Sequence, residues 1–134
     1  MVLSFIDRLD ALREGIDHRL APALAAQGLA TGEWRLLRAL HRLGAVAPSA
    51  LAEACGLTRG GVTRLVDRLR ARRLVVRAAA GREDRRYQTI ALTGAGASLA
   101  ASLLATEAAA EAAVLDPLGA RRRGQLIDIL DALR

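Results

Sequence analysis

Two histidines, His18 and His41, and one cysteine, Cys55, are all the imidazole and thiol chemistry in the chain. No supporting cluster stands at ligand spacing around any of them, so neither a metal site nor a nucleophilic triad is indicated. Gly94 and Gly96, after an extended run and before a helix, imitate the start of a dinucleotide-binding loop. Leu99 occupies the third glycine position, however, and the surrounding pattern is not βαβ. No catalytic residue, metal or cofactor is therefore assigned, and an enzyme lacks its parts.

The chemistry the chain does offer is guanidinium chemistry. Its twenty basic residues are all Arg. Ten of them fall within residues 58–92 against Asp67, Glu83 and Asp84, a local charge of +7 in a chain of net charge +6. A concentrated basic segment inside a folded region is the electrostatic footprint of a polyanionic partner.

Within that segment the arginines form two groups. From Thr58 onward, Val62, Leu65, Val66 and Leu69 fall at i, i+3, i+4 and i+7 and make one apolar helical stripe. Gly60, Thr63, Arg64, Asp67 and Arg68 lie opposite. Such a helix buries one face and offers the other to base edges and phosphates in a major groove. Arg59 and Arg64 are candidates for base or phosphate contacts, because a guanidinium chelates the paired acceptors of guanine or a phosphate. Arg68 lies on the same face, and Thr63 suits a phosphate or a thymine methyl. Gly60 and Gly61 each cost about 1 kcal/mol relative to Ala in a helix, which marks a place of close backbone approach. The second group is the run Gly81-Arg82-Glu83-Asp84-Arg85-Arg86. As a protruding tip, its Arg82, Arg85 and Arg86 suit a minor groove, and Asp84 can hold a neighbouring Arg extended.

The elements that must position these groups are legible from periodicity and punctuation. Phe5, Leu9, Leu12, Ile16 and Leu20 predict a first amphipathic helix, which Pro22 should end or kink. Thr31 is the expected cap of a second helix carrying Trp34, Leu37 and Leu40, closed by Gly44. Pro48 opens a short third helix through Cys55, with Leu51 and Ala54 facing inward and Gly56 as its stop. Gly56, Leu57 and Thr58 then turn the chain into the arginine-bearing helix, a helix-turn-helix pattern. After Arg73 the period becomes extended, first at Leu74–Val76 and again at Tyr87–Leu92, which reads as a β-hairpin. Thr93 should cap a fifth helix running to about Leu115, and Asp116-Pro117 should cap and start a sixth.

At 134 residues the chain fits one compact domain with arms. Hydrophobic residues make up 52% but aromatics only 2%, so the core is built from aliphatic side chains. A single cysteine, expected to pack as a small buried residue, fits a reducing compartment. Asp7, Arg8 and Asp10 interrupt any leader-like apolar run, and the uncharged stretch Tyr87–Thr106 is too polar to span a bilayer. A cytoplasmic protein without a membrane partner is expected.

The runs Ser49-Ala50-Leu51-Ala52-Glu53 and Thr58–Leu69, with Asp84-Arg85-Arg86 followed by Leu92-Thr93, resemble the multiple antibiotic resistance regulator (MarR) family. The resemblance covers residues 31–95 closely and the helix order over nearly all of the chain. It implies a mainly α fold with a small β-hairpin wing: a winged helix-turn-helix with N- and C-terminal dimerisation helices. The expected boundaries are 1–30 for the first arm, 31–93 for the DNA-binding lobe and 94–134 for the second arm. It further implies a homodimer on a palindromic duplex operator, with Asp84 and Arg86 placing an arginine in the minor groove. Ser49 and Thr58, near the starts of the two helices, are assigned to the same DNA-facing set. Many members are repressors released by a small aromatic or phenolic effector, for which Trp34, Arg38 and His18 are the candidate contacts. Others sense oxidants through a cysteine near the N-terminus, which this chain lacks.

One departure stands out. The family ends its recognition helix with Gly, whereas this chain has Arg72-Arg73-Leu74. A left-handed Arg73 would cost about 1 kcal/mol, which favours a different local turn. The alternative reading keeps the fold but makes it a protein-interaction module. A protein-binding face would be more apolar and less uniformly basic than this segment.

Overall fold

The computed structural model describes residues 2–79 and 88–134. Among these the chain order is α1 (Phe5–Ala26), α2 (Thr31–Leu43), α3 (Pro48–Cys55), α4 (Arg59–Ala71), β1 (Val75–Ala79), β2 (Gln88–Leu92), α5 (Gly94–Leu115), a 3-10 turn (Asp116–Leu118) and α6 (Gly119–Asp131). The fold is mainly helical with one antiparallel hairpin, the winged helix-turn-helix expected from the sequence. The chain divides into two compact units: Leu24–Leu104, and the chain up to Ala23 together with that from Ala105 on.

The Leu24–Leu104 unit holds a core of aliphatic side chains around one ring, that of Trp34. Leu36, Leu37 and Leu40 of α2, Leu51 of α3, and Val62, Val66 and Leu69 of α4 are buried together with Val75 and Ile90 of the hairpin. The α2, α3 and α4 helices all pack on one another. In α3 the inward pair is Leu51 and Ala52, whereas Ala54 is exposed. Adjacent residues fill the site because so short a helix offers barely two turns of stripe.

Three helix ends in this unit use one device. Leu29, Leu57 and Leu74 donate N–H bonds to Leu24, Ala52 and Leu69 at 2.9, 2.9 and 3.0 Å. The residue before each, Gly28, Gly56 and Arg73, adopts a positive φ of 63°, 63° and 59°. This is the left-handed turn that satisfies the last carbonyls of a helix and folds an apolar residue back over it. Arg73 is the lone non-glycine residue of positive φ among those described. The turn after α4 is thus the left-handed one that a glycine would favour, and not the different turn expected from the side chain, because its neighbours over-determine it. The Thr93 hydroxyl donates to the Arg73 carbonyl at 2.7 Å, and buried Leu74 locks the reversal.

The hairpin pairs Val75 with Leu92, Arg77 with Ile90 and Ala79 with Gln88. Val46 adds an isolated third rung, exchanging N–H···O bonds of 3.1 and 2.8 Å with Ile90. Thr93 caps α5 as expected, its hydroxyl oxygen accepting the Gly96 N–H at 3.0 Å. Gly96 explains the glycine pair in packing terms. A Cβ placed there would stand 1.9 Å from the Leu74 carbonyl oxygen, so glycine lets α5 start directly against the wing root.

Three expected boundaries shift. Pro22 does not end α1, which continues to Ala26; the lost backbone bond is tolerated because Leu24 and Leu29 bury beyond it. The cap of α2 is Ala30 rather than Thr31, and the Glu33 carboxylate does the capping by accepting the Ala30 N–H at 3.0 Å. Asp116-Pro117 forms a 3-10 turn, and α6 begins only at Gly119, whose φ is 72°.

In the other unit, α1 opens with reciprocal bonds between Ser4 and Asp7, 2.8 and 3.1 Å long. Hydrogen bonding to Ser4 holds the Asp7 carboxyl below its ordinary value. The box therefore contributes above the unfolded carboxyl range and fades as pH falls through the lowered value. Large apolar side chains stay uncovered here, among them Phe5 (61% exposed), Ile6, Ile129 and Leu133 (73%). By length and composition alone, the stretch Gly94–Asp131 is long and apolar enough to cross a membrane.

Two substitutions separate the contributions at the α4 exit. Arg73→Gly should stabilise the protein by about 1 kcal/mol by relieving the left-handed side chain. Gly96→Ala should destabilise it by about 1–3 kcal/mol, since a backbone carbonyl stands in the way. Denaturant midpoints at constant slope measure both, and a reversed order of the variants would contradict the packing described.

Candidate nucleic-acid interface

The sequence from Thr58 to Leu69 builds a helix with two unlike faces. Thr58 sits in extended conformation before α4, and its hydroxyl accepts the Gly61 N–H at 3.0 Å. That bond satisfies one of the orphan donors of the first turn and fixes where the helix starts. Val62, Val66 and Leu69 are then fully buried and Leu65 is half-buried. Turning about 100° per residue brings Gly60, Thr63, Arg64 and Arg68 to the opposite side, while Arg59, the first residue of the helix, lies nearer the edge of the apolar stripe; all five are exposed. Ser49, in the first turn of α3, is exposed as well.

The outer face has features that the residue types alone did not reveal. A Cβ at Gly60 would meet nothing within 4 Å, so the backbone of the first turn is open to an approaching surface. The Thr63 hydroxyl donates to the Arg59 carbonyl at 3.0 Å, which leaves the methyl as its outward chemistry. Asp67, the lone carboxylate of α4, lies 3.4 Å from Nη2 of Arg77 on β1. That pair offsets a negative charge that would otherwise stand beside Arg64 and Arg68.

The ten arginines of residues 58–92 therefore do not all serve one surface. Arg72 donates to the Gln27 and Gly28 carbonyls at 2.6 and 3.2 Å. Arg77 is half-buried against Asp67, and Arg73 makes the left-handed turn. Arg59, Arg64, Arg68 and Arg70 remain exposed along α4. Arg82, Asp84, Arg85 and Arg86 lie outside the described residues. Charge counting did not distinguish Arg72 from its neighbours, since its partners are carbonyls more than forty positions away.

Of the candidate effector contacts, Trp34 and Arg38 belong to α2, with Trp34 buried at 3% exposure and Arg38 exposed. His18 is exposed on α1. Cys55 is half-buried at the end of α3, its Sγ 3.9 Å from the Arg35 carbonyl. Burial pushes its thiol up, against smaller opposing effects of Arg42 and Arg35.

The model of the MarR family matches residues 27–86, the stretch from the end of α1 through α4 and on past β1. A MarR family transcriptional regulator of solved structure from Silicibacter pomeroyi is 34% identical, covering 97% of this chain and 95% of that one with a TM-score of 0.75. The structure of NadR in complex with 4-hydroxyphenylacetate is 26% identical over 98% of this chain and 93% of its own, with a TM-score of 0.82. A MarR family protein of Mycobacterium tuberculosis, in complex with salicylic acid, shares the fold at 24% identity and a TM-score of 0.80, covering 99% and 98% of the two chains. No curated protein matches the chain.

A thiol pushed upward carries less thiolate at neutral pH than free cysteine does. Alkylation of Cys55 by iodoacetamide at pH 7 should accordingly run slower than that of a cysteine in a short unstructured peptide. A rate equal to or above the free thiol's would contradict the environment described for it.

Proposed function

The chain belongs to the MarR family of transcriptional regulators, and from that premise we propose that it is a sequence-specific regulator binding a palindromic duplex operator as a homodimer. The observation that carries this reading is the outer face of α4. There Arg59, Arg64 and Arg68 stand exposed around an open Gly60, while the one carboxylate of the helix is drawn to Arg77. A helix so divided fits a major groove, with guanidinium groups reading guanine or gripping phosphate. The Thr63 methyl suits a thymine methyl, and Ser49 and Thr58 suit the flanking phosphates. Arg82, Arg85 and Arg86, with Asp84 as the orienting partner, are assigned to the minor groove on the sequence pattern alone.

Residues 1–30 and 94–134 are proposed as the dimerisation arms around a 31–93 lobe. Support comes from the apolar side chains left bare in a single chain, Phe5, Ile6, Ile129 and Leu133 among them. An apolar helix that shows most of its surface to water needs a cover. A second copy provides it, and a two-fold dimer places its recognition helices about 10 bp apart. This assigns the apolar stretch of α5 to a protein interface in the cytoplasm rather than to a bilayer. Repression relieved by a small aromatic or phenolic acid is the proposed mode of control, with Trp34, Arg38 and His18 as candidate contacts. The ligands bound by the two similar proteins, 4-hydroxyphenylacetate and salicylic acid, support that class.

Selection of bound sites from random duplex DNA at stated salt tests the reading and should return a palindrome. Against it, Arg64→Ala should lose about 1–3 kcal/mol of discrimination at one position per half-site. Arg86→Ala should weaken all sequences alike and lower the salt slope by about one. Operator binding unchanged in both variants would overturn the assignment.

A further inference from the structure

Arg72 lies within the basic segment and at the exit of the recognition helix, where charge alone would make it a phosphate contact. Its guanidinium is turned elsewhere. Nη2 and Nη1 donate to the carbonyls of Gln27 and Gly28 at 2.6 and 3.2 Å, the two residues that follow α1. The last turn of α1 carries no basic residue of its own. Carbonyls at a helix C-terminus bear partial negative charge and lack intrahelical donors. Arg72 therefore supplies from α4 the cation and the donors that the end of α1 lacks, and in doing so ties the two helix ends together.

We propose that Arg72 is a positioning residue for DNA recognition: it fixes the exit of α4 against the end of α1 and so sets the angle at which Arg59 and Arg64 are presented. The tie has a counterpart one residue on. The Thr93 hydroxyl holds the Arg73 carbonyl at 2.7 Å, and the Thr93 N–H donates to Leu74 at 3.0 Å. The end of α4 is thus held from one side by the chain leaving α1 and from the other by the cap of α5. The N-terminal end is fixed by the Thr58 cap and by buried Val62, with no comparable tie from a distant side chain among the hydrogen bonds of the described residues. Removing Arg72 leaves the exit held from the α5 side alone, so the exposed face of α4 shifts slightly on its packed core. Contacts to base edges depend on alignment within a few tenths of an ångström, whereas contacts to the backbone of any duplex do not.

The inference rests on the DNA-binding reading, and the salt dependence separates the two. The full-length chain and its R72A and R72K forms are titrated with the selected operator and with an unrelated duplex of equal length, across a range of salt. R72A should bind the operator roughly tenfold more weakly, with the unrelated duplex and the salt slope left as in the parent. R72K, which keeps a cation able to reach one carbonyl, should recover part of the loss. A slope reduced by about one, with equal loss on both duplexes, would make Arg72 a phosphate contact and overturn the proposal. So would operator affinity unchanged in R72A. A parent that prefers no sequence would remove the DNA-binding reading itself, and this inference with it.

Discussion

The carbonyl of Leu74 accepts the Thr93 N–H at 3.0 Å and occupies the space where a side chain on Gly96 would stand. At that point α4 has just ended, the first strand of the hairpin is about to begin, and α5 starts. The contact allows no slack. A methyl group at position 96 would collide with backbone, and backbone bonded on both sides does not move aside cheaply. Arg73 is held left-handed one residue earlier because Leu74 must turn back over Leu69, and the carbonyl it presents is taken up by the Thr93 hydroxyl. A strained residue persists when its surroundings over-determine it, and here they do so from both neighbouring elements.

Built on that junction, the electrostatics of the unit divide by geometry rather than by residue type. Arginines engaged by carbonyls or by Asp67 act as ties, and those exposed along α4 without such a tie remain available. The ties are not large stabilising terms. An exposed pair such as Arg77 with Asp67 contributes at most about 1 kcal/mol. Their effect is on shape, since each removes a degree of freedom from a surface whose use depends on the spacing between side chains. Offsetting Asp67 also leaves the exposed face of α4 more uniformly positive, which favours a polyanion over a protein partner.

The aliphatic composition has a related consequence. With Trp34 as the one ring in the core among the described residues, the Leu24–Leu104 unit relies on many small side chains, and its helix ends are finished closely by backbone hydrogen bonds. The remaining unit does not close over its apolar residues in a single chain. Where two copies cover those residues, as proposed, folding of the arms and association would be parts of one process.

Much of this could be read from the residues. The apolar stripe of α4, the Thr58 and Thr93 caps, the stops at Gly44 and Gly56, and the extended runs of the hairpin all follow from interactions within a few positions. Local preference and periodicity record such interactions directly. Ser4-x-x-Asp7 carries the same kind of signal, a capping carboxylate three residues on, whereas the cap of α2 fell to Ala30 and Glu33 and not to the expected Thr31. Gly60, Thr63, Arg64 and Arg68 sharing an exposed face follows from helical period alone, whereas the exposure of Arg59 follows from its place at the first position of the helix. Tertiary structure decided which arginines leave that surface: Arg72 for carbonyls beyond α1, Arg77 for Asp67. It also decided that Gly96 serves close packing, that Val46 joins the hairpin, and that Arg73 turns left-handed where a glycine was the expectation. Each of these depends on two segments distant in the chain meeting at a few ångströms. The type of a residue states which bonds it can make, and only the folded backbone states which partner is within reach.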